Sequence, residues 1–545
     1  MKSTFRQCMA WLHTWAGLLT GWVLFFVFVT GTAGYVDDEI TRWMQPELPA
    51  PVAPSASPDA AHMLAGALAR LAATAPPARS WTITLPHQSL EPRGWQGLSV
   101  AWEALPQAGQ RRAARGREAL DPVTAAPLPR VEARATGGGE VLYRMHYLLH
   151  YLPYGTGIKA VGICTMLMLL AVVTGVITHK KIFADFFTFR PGKGQRSWLD
   201  AHNVVSVLSL PFFLMITYSG LVFFAITYLP APLEVVYGGS AAERQAYVDE
   251  SRGPARRYAP VEAPQVSLAA LVRRIEAQGP GVRVASLQLV RPQGEPAYID
   301  VRLAPGPPHG LRAVPARYGA RDGAPLASDP DNTTARVRGT LFDLHEGLYA
   351  QGVLRVLYVV SGLLGCAVIG TGLVLWTAKR QQQHARRADS APRTGADRFD
   401  AGALRLVEAL NAGTLVGLPL GLAGYFWANR LLPVTLAGRA DWEVHCLFLV
   451  WGAALLYAAL QPIRRVWLTL SWLTVAAYAA LPALNALTTD RHLGRTLPQG
   501  DWDLAGFDLS MLGLAAGFAW LARRLGRRWR VARATTGAKR GGAAA

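Results

Sequence analysis

Trp11-Leu-His-Thr-Trp-Ala-Gly-Leu-Leu-Thr-Gly-Trp-Val-Leu-Phe-Phe-Val-Phe-Val-Thr-Gly-Thr-Ala-Gly-Tyr35 is the stretch whose reading decides the fold. Among Asp, Glu, Lys, Arg and His it holds only His13. A helix needs about 20 apolar residues to cross a bilayer core, and this run exceeds that. It also exceeds the apolar core of a secretory leader, usually about 7–15 residues. Gly31, Ala33 and Gly34 resemble a cleavage site, but the length predicts a retained anchor. Seven further runs follow the same rule: Gly157–Thr178, Val204–Tyr228, Val356–Trp376, Ala409–Ala428, Val444–Gln461, Val466–Thr489 and Leu504–Ala522. The sequence therefore predicts a polytopic α-helical membrane protein with about eight transmembrane helices.

The charge is the next clue. Of 545 residues, 55 are Lys or Arg and 36 are Asp or Glu, a net charge of +19. Alternate loops (1–10, 180–196, 378–398, 462–465 and 523–545) hold 23 of the basic residues and 3 of the acidic ones. Basic loops stay on the cytoplasmic side. The excess charge is thus a topology signal that predicts both termini in the cytoplasm of a bacterium, and no nucleic-acid partner is expected. The basic tail 523–545 reads as a contact with the lipid bilayer. Four cysteines, all in or beside apolar runs, exclude a disulfide scaffold.

Two long polar stretches separate the first four helices. Each reads as a helix and two strands: Ala60–Ala73, Trp81–Leu85 and Leu98–Trp102 in the first; Ser267–Ala277, Val284–Val290 and Ala297–Leu303 in the second. Both are expected as small α+β modules outside the membrane. The predicted order is helix 1 (1–36), module (37–145), helices 2 and 3 with a basic loop (146–229), module (230–345), helix 4 (346–378), linker (379–404), helices 5–8 (405–522) and tail (523–545).

The first four helices look duplicated. His13 precedes Thr30-Gly31 as His202 precedes Ser219-Gly220, with 17 residues from histidine to hydroxyl in both. Leu142-Tyr-Arg-Met-His146 leads to Thr174-Gly175, and Leu341-Phe-Asp-Leu-His345 leads to Thr371-Gly372. Two such units in the same sense predict a pseudo-two-fold along the membrane normal. His13 and His202 would then share one depth near the inner surface, and His146 and His345 one depth near the outer surface. Paired imidazoles on neighbouring helices suit bis-histidine ligation of haem, here two b-type haems. Zinc or copper is a competing use, and a lone interfacial histidine often only hydrogen-bonds. His150, four residues after His146, is expected on the same helical face and is an alternative ligand there. His179 is an alternative near His13 and His202. His445 and His492, in the second half, are as readily hydrogen-bonding groups as ligands.

At these residues the chain resembles the PepSY-associated transmembrane helix family of inner-membrane iron-uptake proteins, which includes ferrisiderophore reductases. The resemblance rests on Trp11-Leu-His13-Thr-Trp-Ala-Gly17, the run from Thr178 to Asn203, Leu344-His345-Glu-Gly and Ser361-Gly-Leu-Leu-Gly365. It covers about 1–380, and the remainder resembles the extension of longer members. It implies periplasmic PepSY-like modules, haem b held by His13, His146, His202 and His345, with His179 a further candidate, and reduction of siderophore-bound Fe(III). Many members carry a histidine after the proline of the third helix, where this chain has Phe213. A ferric siderophore is the expected substrate and a quinol or a cytoplasmic reductase the expected electron donor. A non-redox siderophore permease or docking protein is the rival reading.

Overall fold

The computed structural model describes residues 4–49, 59–90, 93–105, 113–179, 186, 190, 192, 194–252, 257–304, 316–326, 333–388 and 395–541. Most of the basic loop after Thr178 therefore lies outside the described residues. The chain divides into two compact units. One comprises Met1–Leu48, Glu132–Tyr228 and Gly352–Ala545; the other comprises Pro49–Val131 and Leu229–Gln351.

The first unit is helical: α1 (Phe5–Gly34), α2 (Asp37–Met44), α3 (Gly138–Tyr147), α4 (Tyr154–Thr178), α5 (Gln195–Phe223), α6 (Gly352–Ala388), α7 (Gly395–Leu415), α8 (Gly417–Leu431), α9 (Arg439–Leu460), α10 (Ile463–Thr488) and α11 (Trp502–Gly541). Among the described residues eight spans are long and apolar enough to cross a membrane, and α7 with α8 counts as one of them. The eight runs read from the sequence coincide with these. The chain is a membrane protein.

Local chemistry explains where the helices begin and break. Thr4 caps α1 in a reciprocal box, its amide donating to Gln7 Oε1 at 2.8 Å. The fifth span breaks at Val416 because Pro419 has no amide hydrogen for the Leu415 carbonyl and its ring crowds that turn. A break also separates α3 from α4, where Pro153 caps α4 and disfavours helix at Leu152. His146 therefore lies on a short helix of its own. His150 falls in the turn beyond Tyr147, so the expected shared face of His146 and His150 does not exist. At the other end of the fourth span, α6 runs on to Ala388 through part of the stretch read as a linker.

α1 packs along α3, α4 and α6, and α5 along α6. The second half is tied to it by Trp22 Nε1, which donates to Asn411 Oδ1 at 2.9 Å, while Asn411 Nδ2 donates to the Leu373 carbonyl at 3.2 Å. α2 belongs to this unit rather than to the polar module predicted from residue 37. Its Ile40, Trp43 and Met44 share one face and are buried against Phe426 and Phe507.

Among the described residues the second unit holds one seven-stranded antiparallel sheet, ordered β5-β4-β1-β6-β7-β8-β9, and a hairpin of β2 (His87–Leu90) and β3 (Arg93–Gln96). β1 (Ala78–Thr84), β4 (Ser99–Ala104) and β5 (Arg115–Ala119) come from the first polar segment. β6 (Val284–Val290), β7 (Tyr298–Leu303), β8 (Ala316–Gly319) and β9 (Pro325–Leu326) come from the second. The first segment thus supplies three strands and the second four to one shared sheet, joined where β1 pairs with β6. A row of side chains crosses four strands in register: Val100, Ile83, Leu287 and Val301. All four are buried, and they share one core with Leu64 and Leu71 of the helix Ala60–Thr74 and Leu271 of the helix Leu268–Glu276. Alternation of apolar and polar residues puts these strand positions on one face.

Candidate functional site

His13 on α1 and His202 on α5 line one cavity of about 470 Å³. Its walls come from α1, α4, α5 and α6 and are largely apolar, among them Leu18, Leu24, Met168, Leu210 and Leu373. The two imidazoles lie 6.2 Å apart between ring centroids, inclined by 65°. Gly17 opens one wall: a Cβ there would meet no atom within 4 Å. Phe213 lines the cavity too, and its ring packs edge-on against Phe28 at 5.7 Å. Phe213 is thus a buried packing residue.

Each imidazole is anchored from behind. His13 Nδ1 lies 2.8 Å from the Ala171 carbonyl of α4, and His202 Nδ1 lies 3.1 Å from the Val368 carbonyl of α6. A carbonyl only accepts, so the proton of these bonds sits on Nδ1. That leaves the Nε2 lone pair of both rings available for another partner.

The rim of the cavity is polar. His179 caps the end of α4, and its Nε2 accepts from Asn203 Nδ2 at 2.9 Å. Gln195 and Lys379 line the same space. The start of α5 is fixed by Asp200, which is buried. It accepts from Arg190 Nε and Nη2, each at 2.9 Å, and from the Arg190 amide at 3.1 Å. Ser197 Oγ donates back to the Arg190 carbonyl at 2.7 Å. His202 stands two residues beyond this clamp, which therefore sets the register of its helix.

His146 is seated apart from this pair. Its Nδ1 lies 2.8 Å from the Val27 carbonyl of α1, and its ring fills the space beside Gly31. His345 lies near the end of the helix Thr333–Glu346, in the sheet unit. His150 stacks on Phe448 at 5.6 Å, and His445 Nδ1 shares a 2.6 Å hydrogen bond with the Tyr151 hydroxyl. Of the six candidate residues, the structure brings His13, His202 and His179 around one cavity and does not gather His150 with His146.

Sequence reasoning missed Asn203 and the anchoring carbonyls. Asn203 was visible as the neighbour of His202. A backbone carbonyl leaves no mark in the sequence, although the Thr-Gly pairs beside these carbonyls do.

A model of the PepSY-associated TM region matches residues 10–379. The chain belongs to that family. Across 406 residues it is 26% identical to the uncharacterized protein PA4219 of Pseudomonas aeruginosa, an alignment that covers 71% of this chain and 95% of that one. The family match spans both units and includes every residue of the His13–His202 cavity named above.

Proposed function

We propose that this family member is a bacterial inner-membrane protein, both termini cytoplasmic, that passes electrons through b-type haem to reduce siderophore-bound Fe(III) in the periplasm. The observation that carries the reading is that His13 and His202 line one apolar cavity with ring centroids 6.2 Å apart, each with Nδ1 on a carbonyl. Two imidazoles that held one iron through bonds of about 2 Å would have ring centroids about 6 Å apart. The observed 6.2 Å fits that requirement. The apolar walls and the cavity of about 470 Å³ suit a flat, largely apolar group. A haem bound there would supply reversible one-electron transfer.

The chain's own residues do the rest. His13 and His202 present Nε2 while Ala171 and Val368 hold the rings. Lys379, at the rim, offers a positive charge to carboxylates. His146 is anchored in the same manner and, with His345 as its counterpart in the sequence repeat, is proposed for a second haem. Fe(II) is held more weakly than Fe(III) by hard oxygen chelators, so reduction favours release of the metal. The electron donor is a separate molecule, a quinol or a cytoplasmic reductase.

The test is the reduced-minus-oxidised absorbance spectrum of the purified protein. Bands of b-type haem are expected, and His13→Ala or His202→Ala should each remove about one haem. A native protein without those bands refutes the proposal. Siderophore uptake into vesicles without any reductant would instead favour a permease.

A further inference from the structure

Three histidine seats share one construction. The acceptors are the carbonyls of Val27, Ala171 and Val368, on α1, α4 and α6. Each lies four residues before a glycine, Gly31, Gly175 or Gly372, and three before a threonine, Thr30, Thr174 or Thr371. In an α-helix a carbonyl accepts the amide four residues on, here the glycine's own. Any side chain at that position would cover the carbonyl's second lone pair. Glycine leaves it open to an imidazole. The clearance is tight: a Cβ would stand 3.1 Å from His13 Cε1 at Gly175, 3.2 Å from His202 Cε1 at Gly372, and 2.4 Å from His146 Nδ1 at Gly31.

The threonine completes the seat. Its hydroxyl donates one residue further back, Thr30 to Phe26 at 2.8 Å, Thr174 to Leu170 at 2.6 Å and Thr371 to Ala367 at 2.7 Å. The three oxygens stand 3.2, 3.2 and 3.0 Å from the anchoring carbonyls. At the His202 seat, with its hydrogen committed to Ala367, Thr371 Oγ1 lies 3.2 Å from His202 Nδ1 and turns a lone pair toward the imidazole. Ser219, before Gly220, makes the same pair of bonds, to Met215 at 2.6 Å and Ile216 at 3.3 Å.

We infer that these Thr-Gly pairs are positioning residues: they fix the histidine proton on Nδ1 and leave Nε2 as the ligating atom. Each seat sets a carbonyl against Nδ1, and at His202 Thr371 Oγ1 adds a second acceptor, so the opposite tautomer would set lone pair against lone pair. A metal-bound imidazole is commonly held by such a second hydrogen bond, which also raises its basicity as a ligand. The inference deepens the proposed function and rests on it for the identity of the bound group. The tautomer itself does not depend on that identity.

Two measurements on the full chain test it. The first is nitrogen-15 NMR of histidine-labelled protein in lipid nanodiscs, cofactor removed. His13 and His202, assigned by His13→Gln and His202→Gln, should both show the Nδ1–H form. An Nε2–H form at both overturns the inference, whether or not the protein binds haem. The second uses haem-loaded protein. Thr371→Val should shift one midpoint potential and its low-spin EPR signal, while Thr371→Ser leaves both at native values. Gly372→Ala should shift the same signal with haem retained. Native behaviour of Thr371→Val and Gly372→Ala alike overturns it. A native protein without haem would refute the proposed function and leave the NMR result standing.

Discussion

Replacing Glu443 by alanine should destabilise the helical unit by about 3–5 kcal/mol, the cost of stranding a buried charge. Arg439 and Glu443 form an i,i+4 ion pair whose side chains are both 0% exposed. The carboxylate also accepts from Asn429 Nδ2 at 2.8 Å and from Thr136 Oγ1 at 2.5 Å. Arg439 reaches the carbonyls of Ala135, at 2.8 Å, and Asn429. Removing the carboxylate leaves these carbonyls as acceptors but takes away the counter-charge. It also strips Thr136 and Asn429 of an acceptor, each such loss being worth about 1–3 kcal/mol when the group stays buried. The terms overlap, so the ion-pair figure is the better guide to the total. The assay is thermal unfolding in detergent, followed by a double-mutant cycle with Arg439→Met and Glu443→Leu. The double variant should be more stable than the sum of the single losses predicts, because neither charge is left alone. The brace ends at Thr136 and Gly138, where α3 begins. Amide exchange across α3, which carries His146, should therefore quicken in Glu443→Ala. A loss below about 1 kcal/mol, or strict additivity in the cycle, would refute the reasoning.

Gly17→Leu puts a Cβ where no atom lies within 4 Å and extends the side chain into the cavity, so it should abolish haem binding at His13 and His202 with little change in melting temperature; unchanged haem content would count against the cavity as the site. Leu287→Ala, at a position 0% exposed in the middle of the sheet, should lower the protection of β1 and β6 amides by about 2–5 kcal/mol in hydrogen exchange. Glu118 is held below its ordinary value of 4.5 by the hydrogen bond from Arg70. A lowered folded-state value adds stability above the unfolded value and loses it as pH falls through the folded one. Melting of the sheet unit should therefore decline as pH drops below 4.5, and Glu118→Gln should flatten that decline.

The membrane helices were legible because hydropathy is a local property: every span could be read from its own residues. The strands β1, β4, β6 and β7 were legible through alternation, which puts Ile83, Val100, Leu287 and Val301 on one face. That β1 would pair with β6 was not, since nothing in Trp81–Leu85 names a partner 200 residues on. The His146–His150 face was misread because the apolar run Leu148-Leu149 hides a helix end, although Leu152-Pro153 announced a break. At the cavity, His13 and His202 were found by the repeat, and the Thr-Gly pairs were seen as markers of it. Their use as seats depends on backbone carbonyls, which the sequence does not display. The buried polar group of Arg439, Glu443 and Asn429, and beside it Arg430, which donates to Asn485 Oδ1 at 3.1 Å while Asn485 Nδ2 donates to Asp508 at 3.0 Å, went unread for a similar reason. Each residue is plain in the sequence, but charge compensation is a property of three-dimensional neighbours.

The joined sheet also imposes an order of events on synthesis. β1 ends at Thr84 and β6 begins at Val284, with two membrane helices, α4 and α5, between them in the chain. At about 5–20 residues per second, β6 follows β1 by about 10–40 s. Throughout that interval one edge of β1 has no partner strand, and an unpaired edge invites the wrong neighbour. The early half-sheet must be kept apart until two further crossings are inserted. A fault in inserting α4 or α5 would thus first appear as misfolding or proteolysis of a domain that neither helix belongs to.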